Sequence, residues 1–299
     1  MIKQPVALVG ASALLLAACS APNASTLTHP TRKASYPMYV TIPGTSPGTG
    51  SIFKIDAPET VDTPSVPEEI VSGLDFPAGI AVNRQGTIYY TERPTATTGR
   101  VMRLNAIGGT AELIADNLAD PQGLATDRAG NLYVAETGTG TVSLVVNPGE
   151  PEALEPVVTG LVGPRSLSTD ENDNLYVSET RAGTVAKLIP DGTRENIATG
   201  VSNPVDAGPG LVGSLFYLVG NTGQGDGRAV RVSPDGASET YLDHLINPKS
   251  QAWEDGTILY VAEGAPAFRV IKYSRVSNLR VEAASLSAEP HTIAFTPLD

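Results

Sequence analysis

The stretch from Asn131 to Gly140 reads NLYVAETGTG, and it returns as NLYVSETRAG at 174 to 183 and as ILYVAEGAPA at 258 to 267. An aliphatic, Tyr, aliphatic, small, Glu phrase written repeatedly at near-constant spacing marks a repeat architecture, in which one small unit cannot bury its own faces and stacks on copies of itself. Aligned on their Tyr, three weaker copies follow: TIYYTER around Tyr89, SLFYLVG around Tyr217 and YPMYVTI around Tyr39. Six of the ten tyrosines thus occupy one repeat position, which sets the phase of the unit.

Five of these copies are preceded by an opening led by Pro: FPAGIAV, DPQGLAT, GPRSLST, NPVDAGP and NPKSQAW, with Pro77, Pro121, Pro164, Pro204 and Pro248 spaced by 44, 43, 40 and 44 residues. A sixth opening, EPHTIAF, places Pro290 another 42 residues on with no Tyr phrase after it, while the Tyr39 phrase has no Pro opening before it. The two fragments complete each other. A circular array is expected, its C-terminal strand entering the same sheet as the N-terminal strands.

Within one unit the segments are GLATD, LYVAE, TVSLVV and EALEPVV, separated by the turn-forming stretches RAGN, TGTG and NPGEP. Four strands of about five residues bounded by Gly, Pro, Asn and Asp leave no room for helices. Both alternating positions of these strands are apolar, as blades packed face to face require, because each face of a blade is covered by a neighbour. The repeated Tyr adds large buried area and a hydroxyl that can reach a polar partner at the rim. Period, strand count and closure predict an all-β chain: a six-bladed β-propeller with four-stranded blades over residues 36–299. A β-sandwich would lack the period, and a seven-bladed ring would need one more Pro opening.

The first 19 residues, MIKQPVALVGASALLLAAC, hold one Lys, an apolar run from Val6 to Ala18 and then Cys19. That run is shorter than the roughly 20 residues that span a bilayer, so residues 1–18 read as an export signal. The ending Leu16-Ala17-Ala18-Cys19 resembles the bacterial lipobox. The resemblance implies a lipoprotein signal peptide cut before Cys19 and a lipid on the Cys19 thiol; with Ser20 next, it implies the outer membrane, facing the periplasm, in a Gram-negative host. Cys19 is the only cysteine, so an intrachain disulfide is excluded. Residues 19–35 read as the lipidated Cys and a flexible polar tether, with a reach of about 20 Å. The expected location is the bacterial cell envelope, with membrane contact through the lipid anchor only. A net charge of −12 and a pI near 4.7 exclude a nucleic-acid partner, which needs a basic face.

The Pro-x-Gly-Ile/Leu-Ala opening and the Tyr-Val-Ala-acid phrase resemble the repeats of the six-bladed NHL and SMP-30/gluconolactonase-like propellers, and the Tyr phrase is similar to that of streptogramin lyase-type propellers. The resemblance implies fold more than chemistry, since propellers host many unrelated functions. Gluconolactonase-like members imply a divalent metal held by Glu, Asn and Asp at the channel mouth, and streptogramin lyases imply His and Glu beside a metal.

Strand direction puts two loops of every blade on one face of the ring. The residue after each Pro then stands at the channel mouth: Ala78, Gln122, Arg165, Val205, Lys249 and His291. Around it stands the acid that ends each Tyr phrase: Glu92, Glu136, Glu179 and Glu263, replaced by Gly220 in the fifth blade and Ile42 in the first. As a site, Arg165 is a bidentate donor, Gln122 an orienting amide, and Lys249 and His291 further cations for a small anionic or zwitterionic ligand, a glycan or an envelope protein. As scaffold, the glutamates cap backbone N–H groups of the adjoining blade. None of the six inner positions is a carboxylate, so no cofactor is expected. The competing enzyme reading, a lactone hydrolase or a lyase, makes His291 the general base, with Glu136 or Glu179 as its orienter or as ligand to a divalent metal. Trp253 reads as core, and His29 and His244 as solvated. Loop 220–228 departs most from the repeat.

Overall fold

The computed structural model describes residues 37–56, 64–105, 107–146, 148, 154–189, 192–210, 213–220, 225–254, 258–274 and 279–295. The expected signal segment, Cys19, His29 and the tether lie outside them, as does 221–224 in the middle of the irregular fifth-blade loop.

Among the described residues the named strands form six antiparallel sheets of four strands each. Blades 2 to 6 each take four consecutive strands, with innermost strands Ile80–Val82, Pro121–Thr126, Pro164–Thr169, Pro204–Pro209 and Pro248–Glu254. Blade 1 is assembled from both ends of the chain: Ile293–Phe295 is its innermost strand and pairs with Met38–Ile42, Ala294 opposite Tyr39. Each innermost strand contacts the next around a closed ring. The closure expected from the two incomplete repeats is therefore present. A second latch is a parallel bridge between Ser65 and Ala284, with Ser65 N donating to Ala283 O at 2.7 Å, which ties blade 1 to the outermost strand of blade 6.

The apolar core divides into six clusters, one at each blade interface. Ala81 and Val101 of blade 2 meet Leu124 and Val134 of blade 3, for example, and Met38 and Val40 of blade 1 meet Tyr260 and Ala262 of blade 6. A blade pulled out of the ring would expose two such faces at once, so stability is shared around the circle.

The turn before each Tyr phrase shows why its residues recur. Asp127 accepts hydrogen bonds from Asn131 N, Asn131 Nδ2 and, at 3.2 Å, the Tyr133 hydroxyl, and Asp170 does the same for Asn174 and, at 2.9 Å, Tyr176. In blade 6 Glu254 takes over, 2.9 Å from the Tyr260 hydroxyl. One acid thus closes the turn and satisfies the hydroxyl of a largely buried ring. Burial and the adjacent Asp127 push the Tyr133 hydroxyl up to about 12.

Candidate functional site

In blades 3 to 6 the register between the innermost and second strands shifts across one residue: between Pro121 and Gly123, Pro164 and Ser166, Pro204 and Asp206, and Pro248 and Ser250. The residue after each Pro is therefore a bulge, left out of the ladder and re-aimed, as bulges next to sites are. In blades 2 and 1 the ladder starts only at Ile80 and Ile293, leaving Ala78 and His291 ahead of it. The residue before the Pro has positive φ in five blades, at Phe76, Asp120, Gly163, Asn203 and Asn247, which explains the Asp, Asn and Gly found there. Thr137 and Thr180 clasp this corner to the preceding blade, donating to the Pro164 and Pro204 carbonyls.

The six innermost strands enclose a channel of about 290 Å³ whose wall includes Arg165, Ser166, Asp206, Lys249, Gln251, Trp253 and His291. Of the residues expected at the mouth, Arg165, Lys249 and His291 are brought together there. Gln122 is turned to the side, donating from Nε2 to Asp120 Oδ1 at 2.8 Å. Ala78 is buried apolar packing, and Val205, also buried, belongs to the channel wall.

The four glutamates share one geometry outside the channel wall. Each accepts the backbone N–H of the residue seventeen positions earlier: Asp75 to Glu92 at 3.1 Å, and Ala119 to Glu136, Val162 to Glu179 and Ile246 to Glu263 at 2.7 Å each. Three also hold arginines: Glu92 holds Arg100, Glu179 holds Arg194, and Glu263 holds both Arg269 at 2.7 Å and Arg280 at 3.0 Å. All four are buried, so their oxygens serve the turn that delivers each Pro to the ring. Glu136 has no cation among the described residues, and burial raises its carboxyl above the ordinary value. In blade 5, where Gly220 replaces the acid, a Cβ would stand 2.3 Å from Asn203 Nδ2, so the Asn side chain fills that space.

The mouth contains charges that single-position reading did not find. Arg93 Nη1 pairs with Asp120 Oδ1 at 3.1 Å, and its buried Nε has no hydrogen-bond partner. Glu289 Oε1 pairs with Lys249 Nζ at 2.6 Å and accepts from Asn247 Nδ2 at 3.2 Å. Deeper in the channel Asp206 accepts from Ser250 Oγ at 2.8 Å, Gln251 N at 2.7 Å and Ala207 N at 2.8 Å. Burial pushes its carboxyl up, against these hydrogen bonds and one from Ser166. The signal for Asp206 lay in the second column after Pro, which reads Gly79, Gly123, Ser166, Asp206, Ser250, Thr292 and holds one carboxylate.

Arg165 makes no hydrogen bond and no ion pair with the described residues, although Asp206 and Glu289 attract it and Arg93 repels it. Burial pulls its guanidinium below its ordinary value, from a starting point so high that it stays charged at neutral pH. The His291 imidazole is held neutral: burial first, then Arg165, Arg93 and Lys249, push it well below the ordinary histidine value. Its ring is oriented by the Ala78 main chain and by Thr292 Oγ1, 3.0 Å from Nδ1, which corrects the expectation that Glu136 or Glu179 would orient it.

The donor set of the inner ring does not fit a divalent metal. The six inner positions bring two permanent cations and no carboxylate, and the oxygens of Asp206 are already engaged. Trp253 packs in an aromatic cluster, 4.4 Å from Phe216 and 5.9 Å from Tyr241, and also belongs to the channel wall. His244 is exposed, as expected.

The chain matches no protein-family model and no curated protein. Among solved structures it is similar to a chain of a nidogen/laminin complex, at 16% identity and a TM-score of 0.71, covering 88% of this chain and 98% of that one. TolB from Acinetobacter baumannii gives 12% identity and a TM-score of 0.68 over 88% of this chain and 67% of that one. A catalytically inactive virginiamycin B lyase from Staphylococcus aureus with quinupristin gives 16% and 0.59 over 88% and 89%. At these identities the likeness is one of fold, and the fold is the six-bladed β-propeller.

Proposed function

We propose that the chain is a cell-envelope lipoprotein, anchored through Cys19, whose propeller is a binding module that takes an anionic group at its channel mouth. The observation that carries the site is Arg165: a guanidinium in the wall of a channel, desolvated, with no partner among the described residues. A half-buried charge without a partner costs the free protein some stability, and a ligand that supplies the missing oxygens recovers that cost. The contrast with Arg100, Arg194, Arg269 and Arg280, all paired with the glutamate frame, separates site from scaffold. The nidogen chain is seen in a complex with laminin, so a likeness of this fold serves protein binding there. The test is thermal unfolding with small anions added singly. Wild-type protein should be stabilised and Arg165→Ala should not; equal shifts in both would remove the site. Incorporation of labelled palmitate, lost in Cys19→Ala, tests the anchor.

A second reading rests on His291, whose neutral imidazole suits a general base for a lactone hydrolase or a lyase. Turnover of a lactone panel, abolished in His291→Ala, would establish it.

A further inference from the structure

The charges at the mouth can be sorted into those already engaged and those left over. Asp120 is held by Arg93 and Gln122, Glu289 by Lys249 and Asn247, and Asp206 by three donors within 2.8 Å. Each of these carboxylates already has donors on at least one oxygen, and Arg165 is the one mouth cation without a partner among the described residues. The cation without a bonded partner has a planar two-pronged face, with Asp206 in the same wall. Its complement is one carboxylate; a second negative charge on the same ligand would stay unpaired in a desolvated channel.

The rest of the channel is of another kind. Beyond Arg165 its wall includes Leu124, Leu167, Ile293, Phe295 and Trp253. Gln251 Oε1 and Trp253 Nε1, on residues of this wall, lack a hydrogen-bond partner among the described residues, but with almost no accessible surface they do not face the channel. The volume, about 290 Å³, sits at the small end of ligand pockets. Resting on the channel-mouth reading above, we infer that the ligand is a small monocarboxylic acid with an apolar body, its carboxylate on Arg165 and its body along the channel.

Calorimetric titration of the full-length protein with 3-phenylpropanoate, 3-(4-hydroxyphenyl)propanoate, 3-phenylpropanamide and inorganic phosphate tests this. The carboxylates should bind at least tenfold more tightly than the amide. Arg165→Met should weaken the carboxylates at least tenfold, with Arg165→Lys falling between because it keeps charge and loses the two-pronged contact. Unfolding midpoints of both variants establish that they are folded. If phosphate binds best and depends on Arg165, the monocarboxylate class is wrong and the anion site stands. If the amide binds as well as the acid, or Arg165→Met leaves the carboxylates unaffected, the class is wrong and the site with it. If no probe binds the folded wild-type protein, both fail.

Discussion

Glu136 and Glu263 occupy the same repeat position and cap the same backbone N–H, yet only Glu263 is paired with cations, so one substitution should act oppositely at the two sites. In Glu263→Gln the amide oxygen can still accept from Ile246 N, but Arg269 and Arg280 lose a carboxylate that is itself fully buried. Breaking a buried ion pair costs about 3–5 kcal/mol, and because both arginines keep partial solvent contact we expect about 2–4 kcal/mol here. At about 2–4 °C per kcal/mol for a domain of this size, the unfolding midpoint should fall by roughly 5–15 °C. In Glu136→Gln the cap to Ala119 N is kept and a desolvated charge is removed, so stability at pH 7 should hold or rise. The folded carboxyl of Glu136 lies above its unfolded value, so in the wild type its contribution is full below the unfolded value and is lost as pH rises through the folded one. The advantage of Glu136→Gln should therefore be present at pH 7 and vanish near pH 4. Differential scanning calorimetry across that range measures both variants. A fall at pH 7 for Glu136→Gln as large as that for Glu263→Gln would refute the division into paired and unpaired caps.

Four further outcomes follow from the same contacts. Arg165→Met should leave the unfolding midpoint unchanged or raise it, because the side chain makes no bond that stabilises the free protein; a drop of more than a few degrees would assign it to the scaffold. Asp206→Ala strands the hydroxyl of Ser250 and the backbone N–H of Gln251, contacts that link blades 5 and 6, while Ala207 N keeps Ser166 Oγ, and should cost about 2–4 kcal/mol by denaturant titration. Gly123→Ala would set a Cβ 2.7 Å from Leu167 N and 2.8 Å from Arg165 O in the next blade, so calorimetry should show a loss of at least about 1–3 kcal/mol. In an ultraviolet pH titration, Tyr90 and Tyr133, both pushed up to about 12 by burial, should remain protonated at pH 11; complete ionisation of all ten tyrosines in a single transition near 10 would contradict their placement.

The ring was legible because blade geometry is written into every copy. Tyr133 and Tyr176 with their acids six residues earlier, the Pro that starts or shortly precedes each inner strand, and the unmatched halves at Tyr39 and Pro290 are all local patterns repeated in phase. The mouth was legible in part. Arg165, Lys249 and His291 fall on one repeat column, and the bulge after each Pro turns that column into a place. What the column could not show is which charges are engaged. Arg93 lies one residue past a frame glutamate and Asp120 one residue before a Pro, and they meet only because two loops of neighbouring blades share a face. Asp206 sits one residue beyond the column, on the strand edge that reaches Ser250 of the next blade. The glutamates show the converse: a conspicuous recurring acid is absorbed by one backbone N–H seventeen residues earlier, a contact set by turn geometry and invisible in composition.

The most direct test of the channel mouth as a binding site is a crystal structure of the protein grown with a carboxylate that stabilises it. The account expects the carboxylate oxygens on the Arg165 guanidinium, with Glu92, Glu136, Glu179 and Glu263 still on their backbone partners. A ligand seated on those glutamates, or away from the channel with Arg165 unmoved, would contradict it.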